Sequence, residues 1–343
     1  SAAILVTGLA VGTVAYMGGM PRALASNAGP DELSLVPAGA AVVAYANVQG
    51  VMTSEFRQRL TTLLDDAGKG REEFQEETGI DVERDIDAVI AALSPASTPG
   101  AMHETGFVAL RGRFDTGRIE SLVANKGGRL DEYKGARLLV GKDHGAPADE
   151  ESVPTVPRHV RPIIALVNTN LVIVGAEPAV KAAIDRSYGE GTASILSDGE
   201  FLRMLESVDQ NSTVWAIGRP NVLQGRGEIP AQVMQQMPEV KWFAASGHLN
   251  GGLQATIRAE GKDEAAGKNM RDVVQGVLAL ARLQIDSKPE FAPLLNTVQV
   301  ESVGNGVALH VTLPAELLDT IVTHARATHD DHARRVLEPR ADD

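Results

Sequence analysis

Two hydrophobic rhythms alternate along this chain. Short apolar runs closed by Gly, Asn or Pro read as strands, and apolar residues recurring every three to four positions read as helices. The run at 41–48 (AVVAYANV) predicts a buried strand that breaks at Asn47 to Gly50. Ser54 can cap a helix carrying Phe56, Leu60, Leu63 and Leu64, and a second helix over about 71–78 ends at Gly79. Strands follow at 86–93 and 106–114, then a helix capped by Asp115 with Ile119, Leu122 and Val123 on one face. Runs 130–133 and 136–140 form a hairpin turned at Lys134-Gly135, and 163–167 and 171–174 form another turned at Asn168-Thr169-Asn170. Pro178 suits the first turn of the next helix, where no N–H is needed.

After a helix near 198–207 the pattern begins again. Strand 212–217 and a helix near 229–236 lead to strands 241–248 and 253–259, joined at Asn250-Gly251-Gly252. Helix 263–284 has Met270, Val273, Val274, Val277, Leu278, Leu280 and Ala281 as its apolar stripe. Strands 298–303 and 307–311 turn at Gly304-Asn305-Gly306, and Pro314 opens a final helix. The fold class is therefore α+β: two similar β-α-β-β-α-β-β-α halves with mostly antiparallel sheets covered by helices. Asn170, Pro178 and Ala179 meet Gly306, Pro314 and Ala315 at one constant offset, which supports an internal duplication. The halves are 39–190, with hairpin and loop 130–160 inserted, and 191–328. Residues 329–343 form a polar tail.

The N-terminal end departs from both rhythms. Residues 1–21 carry no charge, and a spanning helix needs ~20 predominantly apolar residues. This segment reads as a transmembrane anchor, with a cleaved signal ending at Ala23-Leu24-Ala25 as the alternative. Either reading places the bulk of the chain in the periplasm or another extracytoplasmic space. Gly8 and Gly12, four residues apart, would let two such helices pack closely in lipid, although glycine is common in membrane helices and that is the plainer reading. Residues 22–38, with Gly29-Pro30 and Pro37 among polar residues, read as a tether.

Composition narrows the function classes. A net charge of −13 on 343 residues argues against nucleic acid, whose affinity comes from basic side chains on phosphates. There is no cysteine, so disulfides, thiolate metal sites and a lipoprotein-type anchor are excluded. Aromatics are only 4%, so the core must be built from Val, Leu, Ile and Ala.

Motifs that carry chemistry are missing. Neither phosphate-cradling glycine signature occurs, nor HExxH, nor GxSxG. Asp81, Glu83, Asp85 and Asp87 alternate like a calcium loop, but Ile86 and Ala92 stand where that loop needs Gly and Glu. A solvated acidic turn is the plainer reading. His324, His329 and His332, beside Asp330 and Asp331, have the donors for a metal without the spacing of a closed site. His103-Glu104, His144 and His159 fall in loops without a partner in sequence, and Trp215 and Trp242 fall on strands, with core packing as the default reading and a ligand-lining role as the alternative. No cofactor and no metal are expected.

The step Val36-Pro37-Ala38-Gly39-Ala40 into VVAYANV, with the phrases FVALRGRFD, EYKGARLLVG, AVKAAID and WFAASGHLNGG, resembles a group of uncharacterised membrane-anchored exported bacterial proteins. The resemblance covers about 36–325. It implies an anchored envelope protein and carries no catalytic residues. The expectation is a non-catalytic, membrane-anchored extracytoplasmic protein that binds a protein partner or serves in a membrane-associated assembly. The alternatives are a carrier or binding module for a small or lipidic ligand, and an envelope enzyme with a dispersed site.

Overall fold

The computed structural model describes residues 30–55, 57, 75–76, 79–95, 105–141, 162–219, 240–249, 251–283, 292–314 and 317. Its strands are β1 (Val42–Asn47), β2 (Ile86–Ser94), β3 (Thr105–Gly112), β4 (Arg129–Tyr133), β5 (Ala136–Val140), β6 (Pro162–Asn168), β7 (Leu171–Ala176), β8 (Val214–Gly218), β9 (Val240–His248), β10 (Gly252–Gly261), β11 (Gln299–Val303) and β12 (Gly306–Pro314). They form one 12-stranded sheet in the order β11-β12-β10-β9-β8-β1-β2-β3-β7-β6-β5-β4. Every pairing is antiparallel. The expected α+β class with antiparallel pairing holds, and a single sheet carries both halves.

The seam is the β1–β8 pair, from Val42 opposite Gly218 to Ala46 opposite Val214. Outward from it, one arm runs β1-β2-β3-β7-β6-β5-β4 and the other β8-β9-β10-β12-β11. The first five positions of each arm follow the same chain order, and hairpin β4–β5 lengthens the first arm. Its turn residues Lys134 (φ 49) and Gly135 (φ 80) are both left-handed, as a two-residue hairpin turn requires.

Helices α1 (Val48–Met52), α2 (Val82–Asp85), α3 (Thr116–Asn125), α4 (Glu177–Ser187), α5 (Gly199–Glu206), α6 (Glu264–Leu283) and α7 (Ala292–Thr297) cover the sheet unevenly. Asn47 turns β1 directly into α1, its side chain accepting from the Gly50 N–H at 2.8 Å. On one face, α4, α5 and 3-10 turns at Asp31–Leu35 and Ile195–Ser197 bury Val43, Ile90, Phe107, Ile173 and Ile217. On the other face of the first arm, α1, α2 and α3 bury Val89, Val108, Leu110 and Val172. The first arm is thus filled on both sides.

Among the described residues the second arm is not. Its long helix α6 buries only Ala266, Gly267 and Met270, all near its start. Part of the expected stripe is exposed: Val273 by 50%, Val277 by 60% and Leu280 by 61%, with Leu283 beyond it by 77%. Apolar residues surround the second half of α6, so two faces compete for one sheet. Val274, Leu278 and Ala281 are half-buried, which leaves Val273, Val277 and Leu280 in solvent.

The two prolines that match by the duplication differ in place. Pro178 lies in the first turn of α4, but Pro314 is the last residue of β12, opposite Gly252. At the end of a ladder its missing N–H costs nothing. Among the described residues no helix is long and apolar enough to cross a membrane. Residues 1–21 with Gly8 and Gly12, loop 142–160, helix 229–236 and the tail 329–343 lie outside the described residues, as do most of helices 56–64 and 71–78 and nearly all of the final helix after Pro314.

A polar network pins hairpin β4–β5 to α4. The Tyr133 hydroxyl donates to Asp185 at 2.9 Å, and the Lys134 ammonium reaches Asp185 and Glu190, each at 2.5 Å. Its bond to Asp185 holds Lys134 above the usual lysine range, and the same bond holds Asp185 below the usual carboxylate range. The depressed Asp185 contributes stability above its unfolded pKa of ~3.9, lost as pH falls through its folded value. The raised Lys134 contributes fully below ~10.4, and that is lost as pH rises through its folded value. Asp185→Asn should therefore melt below the parent protein at neutral pH and converge with it as pH falls below ~4. A melting-temperature gap that stays constant from neutral to acid pH would refute this role.

Candidate functional site

Three places bring chemistry-bearing side chains together. The first is at the β8–β9 end of the second arm. Ser212 Oγ lies 3.4 Å from His248 Nε2, and Asp209 Oδ2 lies 2.9 Å from the same nitrogen. A relay needs the base to take the hydroxyl proton on one ring nitrogen while the acid holds the other. Here serine and aspartate share one nitrogen, so the imidazole cannot pass a proton between them. Asp209 is held below the usual carboxylate range, first by the backbone N–H of Asn211 and then, against the cost of burial, by His248. The group fixes the start of β8. His248 lies just before the Asn250-Gly251-Gly252 turn, and nothing in its spacing marked it in the sequence.

The second place is a cavity of about 170 Å³ between the end of α5 and the outer strands of the second arm. It is lined by Arg203, Ser207, Trp242, Arg258, Glu260, Val303 and others. Asp198 builds the α5 side by accepting from the N–H groups of Glu200 and Phe201 as N-cap. Burial raises the Asp198 pKa, but Arg219 at 2.8 Å and these capping bonds outweigh it and hold the carboxyl low. Glu200 is held low chiefly by Lys241, at 2.6 Å. Trp242 is 6% exposed. Its Nε1 and the Nε of Arg258 are both buried and have no hydrogen-bond acceptor among the described residues. Both are donors only, and a buried donor left unmatched costs ~1–3 kcal/mol. Trp215, the other tryptophan, has the core role expected of both, stacked on Tyr45 with centroids 5.6 Å apart. That Trp242 combines core packing with an open donor could not be read from its strand pattern.

The third place is the outer side of α6. On its other side, between α6 and the β11 edge of the sheet, lies a groove of about 370 Å³, lined by Gln275, Leu278, Arg282, Val298 and Val300. Gly276 has nothing within 4 Å of where a Cβ would stand. Half-buried Phe243, Leu309 and Val311 and exposed Ile257 continue an apolar surface across the neighbouring strands.

The acidic turn 81–87 is structural. Asp81 caps α2 through the N–H groups of Glu83 and Arg84, Asp85 accepts from Asp81 N–H at 2.9 Å, and Asp87 accepts from Gln49 at 3.2 Å. Its carboxylates point to backbone, amide and guanidinium donors, the last from Arg57, Arg84 and Arg113, not to a common centre. Among the described residues no three His, Asp or Glu side chains gather as a metal site. His103, Glu104, His144, His159, His324, His329, His332, Asp330 and Asp331 lie outside the described residues.

No family model matches the chain, and no curated protein matches it. Among solved structures it is similar to "Structure of crystal form I of TP0453", with TM-score 0.46 and 10% identity over 87% of this chain and 99% of that chain.

Proposed function

We propose that this is a membrane-anchored, extracytoplasmic protein that works by binding a protein partner and carries out no reaction of its own. The observation that supports it is the exposed stripe Val273, Val277, Leu280 and Leu283 on α6. Residues spaced in this way line one side of a helix, the spacing by which amphipathic helices engage each other. With Gly276 and Ala279 between the larger side chains, the surface has knobs and close-approach points suited to an apolar helix of the partner. The uncharged segment 1–21 supports the anchor and the extracytoplasmic location. The shared strand order of the two arms supports reading 39–190 and 191–328 as a duplication, with hairpin β4–β5 as the addition to the first.

The test places a photo-crosslinking amino acid at Val277 in the full chain in its own membranes. The expected product joins position 277 to the apolar face of a helix in one protein, and Leu280→Asp abolishes it. That substitution is on the surface, so stability should change by no more than ~0.5 kcal/mol. Crosslinks to lipid alone, to a second copy of this chain or to nothing would overturn the reading. A second reading, a binding module for a small ligand, is supported by the unmatched donors of Trp242 and Arg258 in one cavity.

A further inference from the structure

We propose that the cavity between α5 and strands β9 and β10 is a seat for a small monocarboxylate with a short apolar tail, an inference that rests on the small-ligand reading above. The polar end of the cavity is defined by donors. Trp242 Nε1–H and Arg258 Nε–H can only donate, both are buried, and neither meets an acceptor among the described residues. Arg203 at the cavity wall adds a second guanidinium. The Ser207 hydroxyl already donates to the Met204 carbonyl at 2.6 Å, so it competes for no acceptor.

Charge and size narrow the ligand. The lining holds two arginines and one acid, Glu260, which favours a singly charged anion over a doubly charged one. A planar carboxylate has two oxygens to share between an indole N–H and a guanidinium, the group that recognises carboxylates best. Val303, Val307 and Ala259 provide the apolar wall. About 170 Å³ is smaller than the ~300 Å³ at which drug-sized pockets begin, so the tail is short.

The chain has two tryptophans, so its indole N–H spectrum has two signals, and Trp242→Phe identifies the one from Trp242. The 15N-labelled full chain in detergent is titrated with isobutyrate, isobutyramide and inorganic phosphate in turn. The expected result is a saturable shift of the Trp242 signal with isobutyrate while the Trp215 signal stays in place. Isobutyramide and phosphate should bind at least ten-fold more weakly. Arg258→Gln should weaken isobutyrate at least ten-fold while leaving both indole signals dispersed, which separates lost binding from lost folding. If isobutyramide shifts the signal as well as the acid does, the carboxylate assignment fails and the small-ligand reading stands. If phosphate does so, the site takes any anion and the assignment also fails. If no probe moves the signal, both fail, because water then satisfies the donors.

Discussion

Phe107→Ala should lower the stability of the whole molecule by about 3–5 kcal/mol, and the loss should be visible in both arms of the sheet. Phe107 is 2% exposed and lies on β3 opposite Gly175 of β7, in the core under α4 and α5. Removing its ring takes away the hydrophobic transfer of a fully buried aromatic and leaves a hole that β-strands held on both sides cannot close. Both tryptophans sit in the other arm, Trp215 on β8 at the seam and Trp242 on β9 away from it. The β1–β8 ladder and the stack of Tyr45 on Trp215 join the arms. Urea midpoints followed by tryptophan fluorescence and by far-ultraviolet circular dichroism should therefore fall together. A fluorescence midpoint that stays in place while the dichroism midpoint falls would mean that the arms unfold separately.

Gly112→Ala should cost about 3 kcal/mol, the upper part of the overpacking range, although it adds one methyl group. A Cβ at Gly112 would meet the Asp85 carbonyl oxygen and come within 3.0 Å of the Ile86 Cα. These are backbone atoms, so no rotamer change relieves the contact. They are also held in place: the Arg113 N–H donates to Asp85 at 2.7 Å, and the β2–β3 register shifts between Ile86 and Ala88. That irregularity brings the two backbones together, and only glycine fits the approach. Gly39→Ala is the control. Nothing lies within 4 Å of its Cβ position, so the change should be neutral or stabilise by up to ~1 kcal/mol by restricting the unfolded chain. Equal urea midpoints for the two variants would refute the steric account.

Much of the fold is a local matter and was legible in the residues. Strands β2, β4, β5, β6, β7, β9, β10, β11 and β12 fall within a few residues of their apolar runs, because alternation and turn chemistry act over neighbours in sequence. The turns at Lys134-Gly135 and Gly304-Asn305 were marked by their glycines, Gly135 at φ 80 and Gly304 at φ 52. Asp115 and the first turn at Pro178 were marked by the needs of helix starts. Each signal acts within a few residues, so each survives without knowledge of the rest of the chain.

What pairs with what across the sheet was decided elsewhere. The β1–β8 seam joins residues far apart in sequence, and no pattern within either segment says whether two edges meet or stay separate. Periodicity identified the apolar residues of α6 but could not say which of two apolar faces the sheet would accept. The sheet took Val274, Leu278 and Ala281 and left Val277 and Leu280 outside. The donors of Trp242 and Arg258 are two strands' contributions to one cavity, and each alone looks like an ordinary sheet residue. Burial and unmatched hydrogen bonds are properties of three-dimensional neighbours, so the candidate site exists only once β9, β10 and α5 have met.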